Sequence, residues 1–220
     1  MVDVYTTEEE QIEAIKKWWR DNWKSLAGGV LLGLGILYAG YSYKHSQENK
    51  KGMAAFEFDA MMQALNTDKI DEATSHAEIL SGQYADTPFA VASALALAKI
   101  KVEKNDLLAA QSYLRWALDH ADNEAMKHAA RLRLARVLLA NNKADEALKL
   151  VSLSSQETAG YSASYEELKG DILVASGKVS EAISAYNLAL AAMEPGDRGR
   201  QNLQMKLDDL GALENAKQAS

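Results

Sequence analysis

Histidine comes first among residues to weigh for chemistry, because imidazole serves both proton transfer and metal ligation near neutral pH. The chain holds four, His45, His76, His120 and His128, and no cysteine. No two histidines stand at i+3 or i+4, the spacing that puts two ligands on one helical face. No metal site is expected, and His120 and His128, eight residues apart, read as surface or interface residues. Serines are abundant, but no spacing suggests a serine–histidine–acid set. The glycine-rich stretch lacks the Lys-Ser/Thr ending of a phosphate loop. Glu8, Glu9 and Glu10 follow Thr6 and Thr7 and read as a capped helix start with acids in its first turn. The expectation is a protein with no catalytic residues, no metal and no cofactor.

Binding chemistry is left, and charge narrows it. The 24 Lys and Arg face 31 Asp and Glu, for a net charge of −7. An acidic chain does not suit a phosphate backbone, so nucleic acid is not an expected partner.

The next informative feature is the run Ser25 to Tyr43, SLAGGVLLGLGILYAGYSY, nineteen residues without a charge, closed by Lys24 and Lys44. At about 1.5 Å per residue such a helix reaches roughly the 30 Å of bilayer hydrocarbon. Trp18, Trp19 and Trp23 precede it, and Tyr38, Tyr41 and Tyr43 mark its far end, as aromatic belts do at the two interfaces. A buried core helix and a cleaved signal peptide are the alternatives. The acidic start MVDVYTTEEE and the bulky tyrosines favour an uncleaved anchor. Lys16, Lys17, Arg20 and Lys24 against Lys44, Lys50 and Lys51 lean towards a cytoplasmic N-terminal side. Gly29, Gly33 and Gly40 share one face, where small residues let another membrane helix approach closely. Gly28, Gly35 and Ala39 line a second face.

Beyond the span the chain reads as all-α, with alanine and leucine at helical spacing and only two prolines, Pro88 and Pro195. One unit, SASYEELKGDILVASGKVSEAISAYNLALAAMEP from Ser162, combines small residues (Gly170, Ala182 and Ala189), a large Tyr186 and a turn glycine, Gly177. It resembles a tetratricopeptide repeat, whose helix pairs need small residues where they cross. Weaker copies place Ala147, Ala110 and Ala73 at the position of Ala182, at spacings of 35, 37 and 37 residues. Asn142, Asn105 and Asp68 then take the turn position of Gly177. The expected organisation is a head over 1–24, a span over 25–43, a linker over 44–51, four helix pairs over 52–199 and a capping helix and tail over 200–220.

An array of this kind offers a concave surface lined by first helices. Projection of the repeat predicts a lining of Phe58, Met62 and Leu65, then Leu95, Lys99 and Val102. Leu132, Arg136 and Leu139 follow, and Glu167, Asp171 and Val174 close it. An exposed apolar lining suits extended or unfolded peptide. In the head, Ile12, Ile15, Trp18, Trp19 and Trp23 recur at helical spacing, which fits either an interfacial helix or a docking stripe.

The sequence EEEQIEAIKKWWRDNWK, the glycine-rich anchor, KGMAAFEFDAMMQAL and the repeats come in an order that resembles the YfgM family, ancillary subunits of the bacterial SecYEG translocon. The resemblance spans the whole chain. It implies an inner-membrane protein with a cytoplasmic head and a periplasmic body. The implied partners are SecYEG, the periplasmic chaperone PpiD and unfolded exported proteins, and through the head an Rcs-type response regulator. The implied role is a non-enzymatic adaptor that helps newly exported proteins reach periplasmic chaperones. A structural scaffold for a cell-envelope complex, with no client binding, is the alternative.

Overall fold

The structure is a computed structural model. It describes residues 8–218, with side-chain environments for residues 10–212. The expected caps Thr6 and Thr7, and the side chains of Glu8 and Glu9, lie outside the described residues. Among the described residues there are nine helices and no strand. They are α1 (Glu8–Asn66), α2 (Ile70–Gln83), α3 (Pro88–Glu103), α4 (Leu107–His120) and α5 (Glu124–Ala140), followed by α6 (Ala144–Val151), α7 (Ser162–Ala175), α8 (Val179–Ala192) and α9 (Gly199–Gln218). The chain forms two compact units, Met1–Gly52 and Met53–Ser220.

The first unit holds the uncharged run within α1. That stretch is long and apolar enough to cross a membrane, and none of it is buried. Leu32 and Ile36 are each 70 % exposed. A core helix would bury such side chains at roughly 25 cal/mol per Å² of gain, so the core-helix alternative does not hold here.

The second unit is a succession of helix pairs whose turns are set by local chemistry. Asp68, Asn105, Asn142 and Gly177 have φ of 56°, 58°, 59° and 74°. Each lies just past the end of a first helix, in the left-handed region that Asn, Asp and Gly tolerate best. The hydrogen bonds repeat as well. Lys69 N–H donates to Ala64 O at 2.9 Å and Asp68 N–H to Leu65 O at 3.1 Å. The corresponding bonds run from Asp106 to Lys101, Lys143 to Leu138 and Lys178 to Leu173 at 2.8–2.9 Å. This is the Schellman closure, which satisfies the last helical carbonyls. On the entry side, Thr87, Asp106 and Asn123 cap α3, α4 and α5 through Ala90, Ala109 and Ala125 N–H.

The pairs pack through small residues. Ala73, Ala110, Ala147, Ala182 and Ala189 are fully buried on the second helices. At another register the volumes trade across the pair. Gly170 of α7 faces the ring of Tyr186, which occupies the space a β-carbon would need. One repeat earlier Ala135 shares a core cluster with Val151, and before that Ala98 with Leu114. In the first pair Met61 shares a cluster with Ala77. At the two extremes the volumes are exchanged, glycine against tyrosine in the fourth pair and methionine against alanine in the first. Alanine against valine or leucine lies between them, which keeps the interior filled.

The third pair departs from the repeat. Its second helix, α6, has 8 residues where the other second helices have 14. The sequence after it, SLSSQETAGYS, explains the stop. Ser152 Oγ donates to Leu148 O at 2.7 Å, and Glu157 accepts from both Ser154 N–H and Ser154 Oγ. Hydroxyl side chains that bond the nearby backbone compete with helical hydrogen bonds. Gly160, at φ 79°, completes the irregular segment.

Candidate binding groove

The predicted lining separates into groups. Leu95, Lys99 and Val102 of α3 and Arg136 of α5 come together along one groove of about 400 Å³. Ala98, Glu103, Leu114, Arg133 and Val137 complete its walls. The sequence spaces the α3 residues at i, i+4 and i+7, which places them on one stripe. Val102 is 40 % exposed and offers apolar surface to solvent.

The remaining positions lie elsewhere. Leu132 is no lining residue, because it is 7 % exposed and belongs to the core cluster beneath the groove. Leu139 is half-buried against the same cluster. In α1, Phe58 tilts onto Phe89 with ring centroids 5.9 Å apart, and Leu65 packs on the first-pair core. Met62 is half-buried, and Val174 is exposed outside the groove walls.

Glu167 and Asp171 are tied to the capping helix. Lys206 Nζ of α9 donates to Asp171 Oδ1 at 2.7 Å and Glu167 Oε1 at 3.0 Å. Tyr186 O–H donates to the same Asp171 oxygen at 2.7 Å, and Lys206 lies 5.5 Å from the Tyr186 ring centroid. Burial first, then the hydrogen bond to Asp171 and its charge, raise the Tyr186 phenol well above its ordinary 10.0. Burial opposes the Lys206 charge, but its hydrogen bonds to Asp171 and Glu167 outweigh that and raise it above 10.5. The fold thus favours the protonated form of both groups. Their stabilisation is full below about pH 10 and is lost as pH rises through the folded values. Thermal unfolding of the full chain in detergent is expected to shift steeply downward above about pH 10. The shift should be smaller in Tyr186→Phe, which keeps the ring and loses the titrating hydroxyl.

One histidine, His128, is buried, and His76 and His120 contact neighbouring side chains nearer the surface. His128 is 4 % exposed, so of its two expected settings it occupies the interface. Its Nδ1 is 2.8 Å from the Tyr165 hydroxyl, and its ring stacks on Tyr161 at 4.3 Å. His120 stacks on Trp116 at 4.1 Å, and His76 Nδ1 lies 2.7 Å from Glu57 Oε2. In the first unit, Gly29, Gly33 and Gly40 have no neighbour within 4 Å of a β-carbon position.

Sequence projection missed Arg133, which joins Arg136 on the groove wall. A signal for it existed. The segment that becomes α5 carries Lys127, Arg131, Arg133 and Arg136 against the single acid Glu124, within an acidic chain.

Comparison with known proteins matches residues 16–212 to the model of a tetratricopeptide repeat-like domain family. An Escherichia coli (strain K12) protein is 31 % identical over 209 residues, covering 95 % of this chain and 99 % of its own. A Haemophilus influenzae protein is 28 % identical over 208 residues, covering 94 % and 99 %. One from Neisseria gonorrhoeae is 29 % identical over 205 residues, covering 92 % and 97 %. Each of the three is named an ancillary SecYEG translocon subunit.

Proposed function

Because the chain belongs to the tetratricopeptide repeat-like family of ancillary SecYEG translocon subunits, we propose that it is a single-pass membrane adaptor of the Sec translocon. In this reading the span docks beside the channel and the repeat body receives segments of newly exported chains. It then passes them to chaperones on the far side of the membrane. The observation that carries this reading is an uncovered, membrane-length apolar stretch in the same chain as a repeat body with an open apolar groove. Tethering raises effective concentration, so weak contacts suffice for such a handover.

The Gly29, Gly33 and Gly40 face is the proposed contact with a membrane partner helix, where close packing supplies the attraction. The head presents Ile12, Ile15, Trp18, Trp19 and Trp23, all exposed, and a cytoplasmic regulator would meet the protein there. Affinity purification from mildly solubilised membranes is the test. SecYEG subunits are expected to co-purify with the chain, and less so after Gly29→Ile with Gly33→Ile. A reporter fused after Ser220 should be active only outside the cytoplasm. A cytoplasmic body would refute the handover.

A further inference from the structure

The groove between α3 and α5 has a charge its surroundings do not share. Beyond the span, residues 44–220 hold 20 Lys and Arg against 25 Asp and Glu. The groove nevertheless sets Lys99, Arg133 and Arg136 around an apolar floor, with Glu103 as its one acid. Glu103 is answered within its own helix, by Lys99 at 3.7 Å. Arg133 and Arg136 form no ion pair among the described residues. Some exposed charges elsewhere in the body meet a partner, as Arg115 meets Glu146 at 2.9 Å and Lys127 meets Glu124 at 2.9 Å. Others, such as Lys149 and Lys178, form no ion pair among the described residues. What sets Arg133 and Arg136 apart is their place together on an apolar groove. Two neighbouring guanidinium groups left unpaired beside apolar surface match a ligand that brings both carboxylates and apolar side chains. Guanidinium suits this because its planar fork binds carboxylate in a bidentate way and is weakly hydrated.

We propose that this groove is a receptor for acidic peptide segments in which Asp or Glu alternate with large apolar residues. The proposal rests on the adaptor reading and names the kind of chain the body takes. Apolar side chains of the ligand would settle on Leu95, Val102, Leu114 and Val137, and its carboxylates would meet Arg133 and Arg136 from one wall and Lys99 from the other. Rim charges of this sort act mainly on association rate and on selection against like charge. The groove would therefore reject basic apolar segments more firmly than it holds acidic ones.

The test uses the full chain in detergent and three fluorescent peptides, one alternating Leu and Asp, one Leu and Lys, and one Ser and Asp. The Leu–Asp peptide is expected to bind about tenfold tighter than either of the others. The preference over Leu–Lys should vanish at 1 M salt, where screening acts within about 3 Å. Arg133→Glu with Arg136→Glu should invert the order of the two leucine peptides, and Lys99→Glu on the facing helix should move it the same way. Equal affinity for the two leucine peptides would overturn the proposal. So would binding of Ser–Asp as tight as Leu–Asp, no binding by any peptide, or a preference unmoved by the substitutions. Co-purification with SecYEG is measured on the same preparations. Its loss in the unaltered chain would refute the adaptor reading, whereas its retention beside a groove without charge preference would refute only this inference.

Discussion

Replacing Leu32 and Ile36 together by arginine is expected to release the chain from the membrane. The favourable side of insertion is small. Leu26, Val30, Leu31, Leu32, Leu34, Ile36 and Leu37 each contribute roughly 0.3–0.6 kcal/mol, or about 2–4 kcal/mol together. Five glycines in the run add little. One arginine near the helix centre costs about 2.5–3.5 kcal/mol, so two outweigh everything the apolar residues supply. Membrane extraction with alkaline carbonate reads the outcome. The altered chain should appear in the soluble fraction while keeping the helical circular dichroism of its body. The packing of the second unit does not involve these residues. A chain that stays carbonate-resistant would show that the span is held by something other than its own hydropathy.

The second large effect is expected at Tyr165. This residue is 1 % exposed and joins α7 to α5 through its hydroxyl and His128. Truncation to alanine removes a buried aromatic ring, which costs about 3–5 kcal/mol. It also strands the buried His128 nitrogen, for about 1–3 kcal/mol more. Domains of this size are stable by about 5–15 kcal/mol, so much of the total is at stake. A repeat array is stabilised by contacts between neighbours, so the loss should be felt between the third and fourth pairs. Urea unfolding of Tyr165→Ala in detergent is expected to show a lower midpoint and a split transition. Tyr165→Phe keeps the ring and should lose only about 1–3 kcal/mol. An unchanged midpoint for the alanine variant would mean that the α5–α7 contact does not hold these pairs together.

These two sites differ in how far they could be read from sequence. The span and the turns are local features. An uncharged run of membrane length announces itself, and Asp68, Asn105, Asn142 and Gly177 mark their turns because few residue types accept positive φ. Buried alanines at spacings of 37, 37 and 35 residues belong to the same class. The early end of α6 was also written locally, in a serine-rich segment, but a regular repeat template passes over it. Side-chain placement across helices was far less legible. A pattern of i, i+4 and i+7 puts Leu95 and Leu132 at equivalent positions, yet Leu95 lines the groove and Leu132 is buried in the core. Which of the two a side chain does is set by packing against the neighbouring helices, which spacing within one helix does not encode. Glu167 and Asp171 looked like charged lining until α9 brought Lys206 onto them from more than thirty residues away. Ion pairs at that separation leave no trace in local spacing.

The adaptor account is tested most directly by a photo-crosslinking residue placed at Val102. Membranes containing a secretory precursor stalled in SecYEG are irradiated, and adducts to the precursor are measured. Val102 lies on the groove wall and is partly exposed, while Leu108 of α4 is 67 % exposed and lies outside the groove. The account predicts precursor adducts from Val102 and few or none from Leu108. No adduct from Val102 in membranes where the chain co-purifies with SecYEG, or equal yields from the two positions, would contradict it.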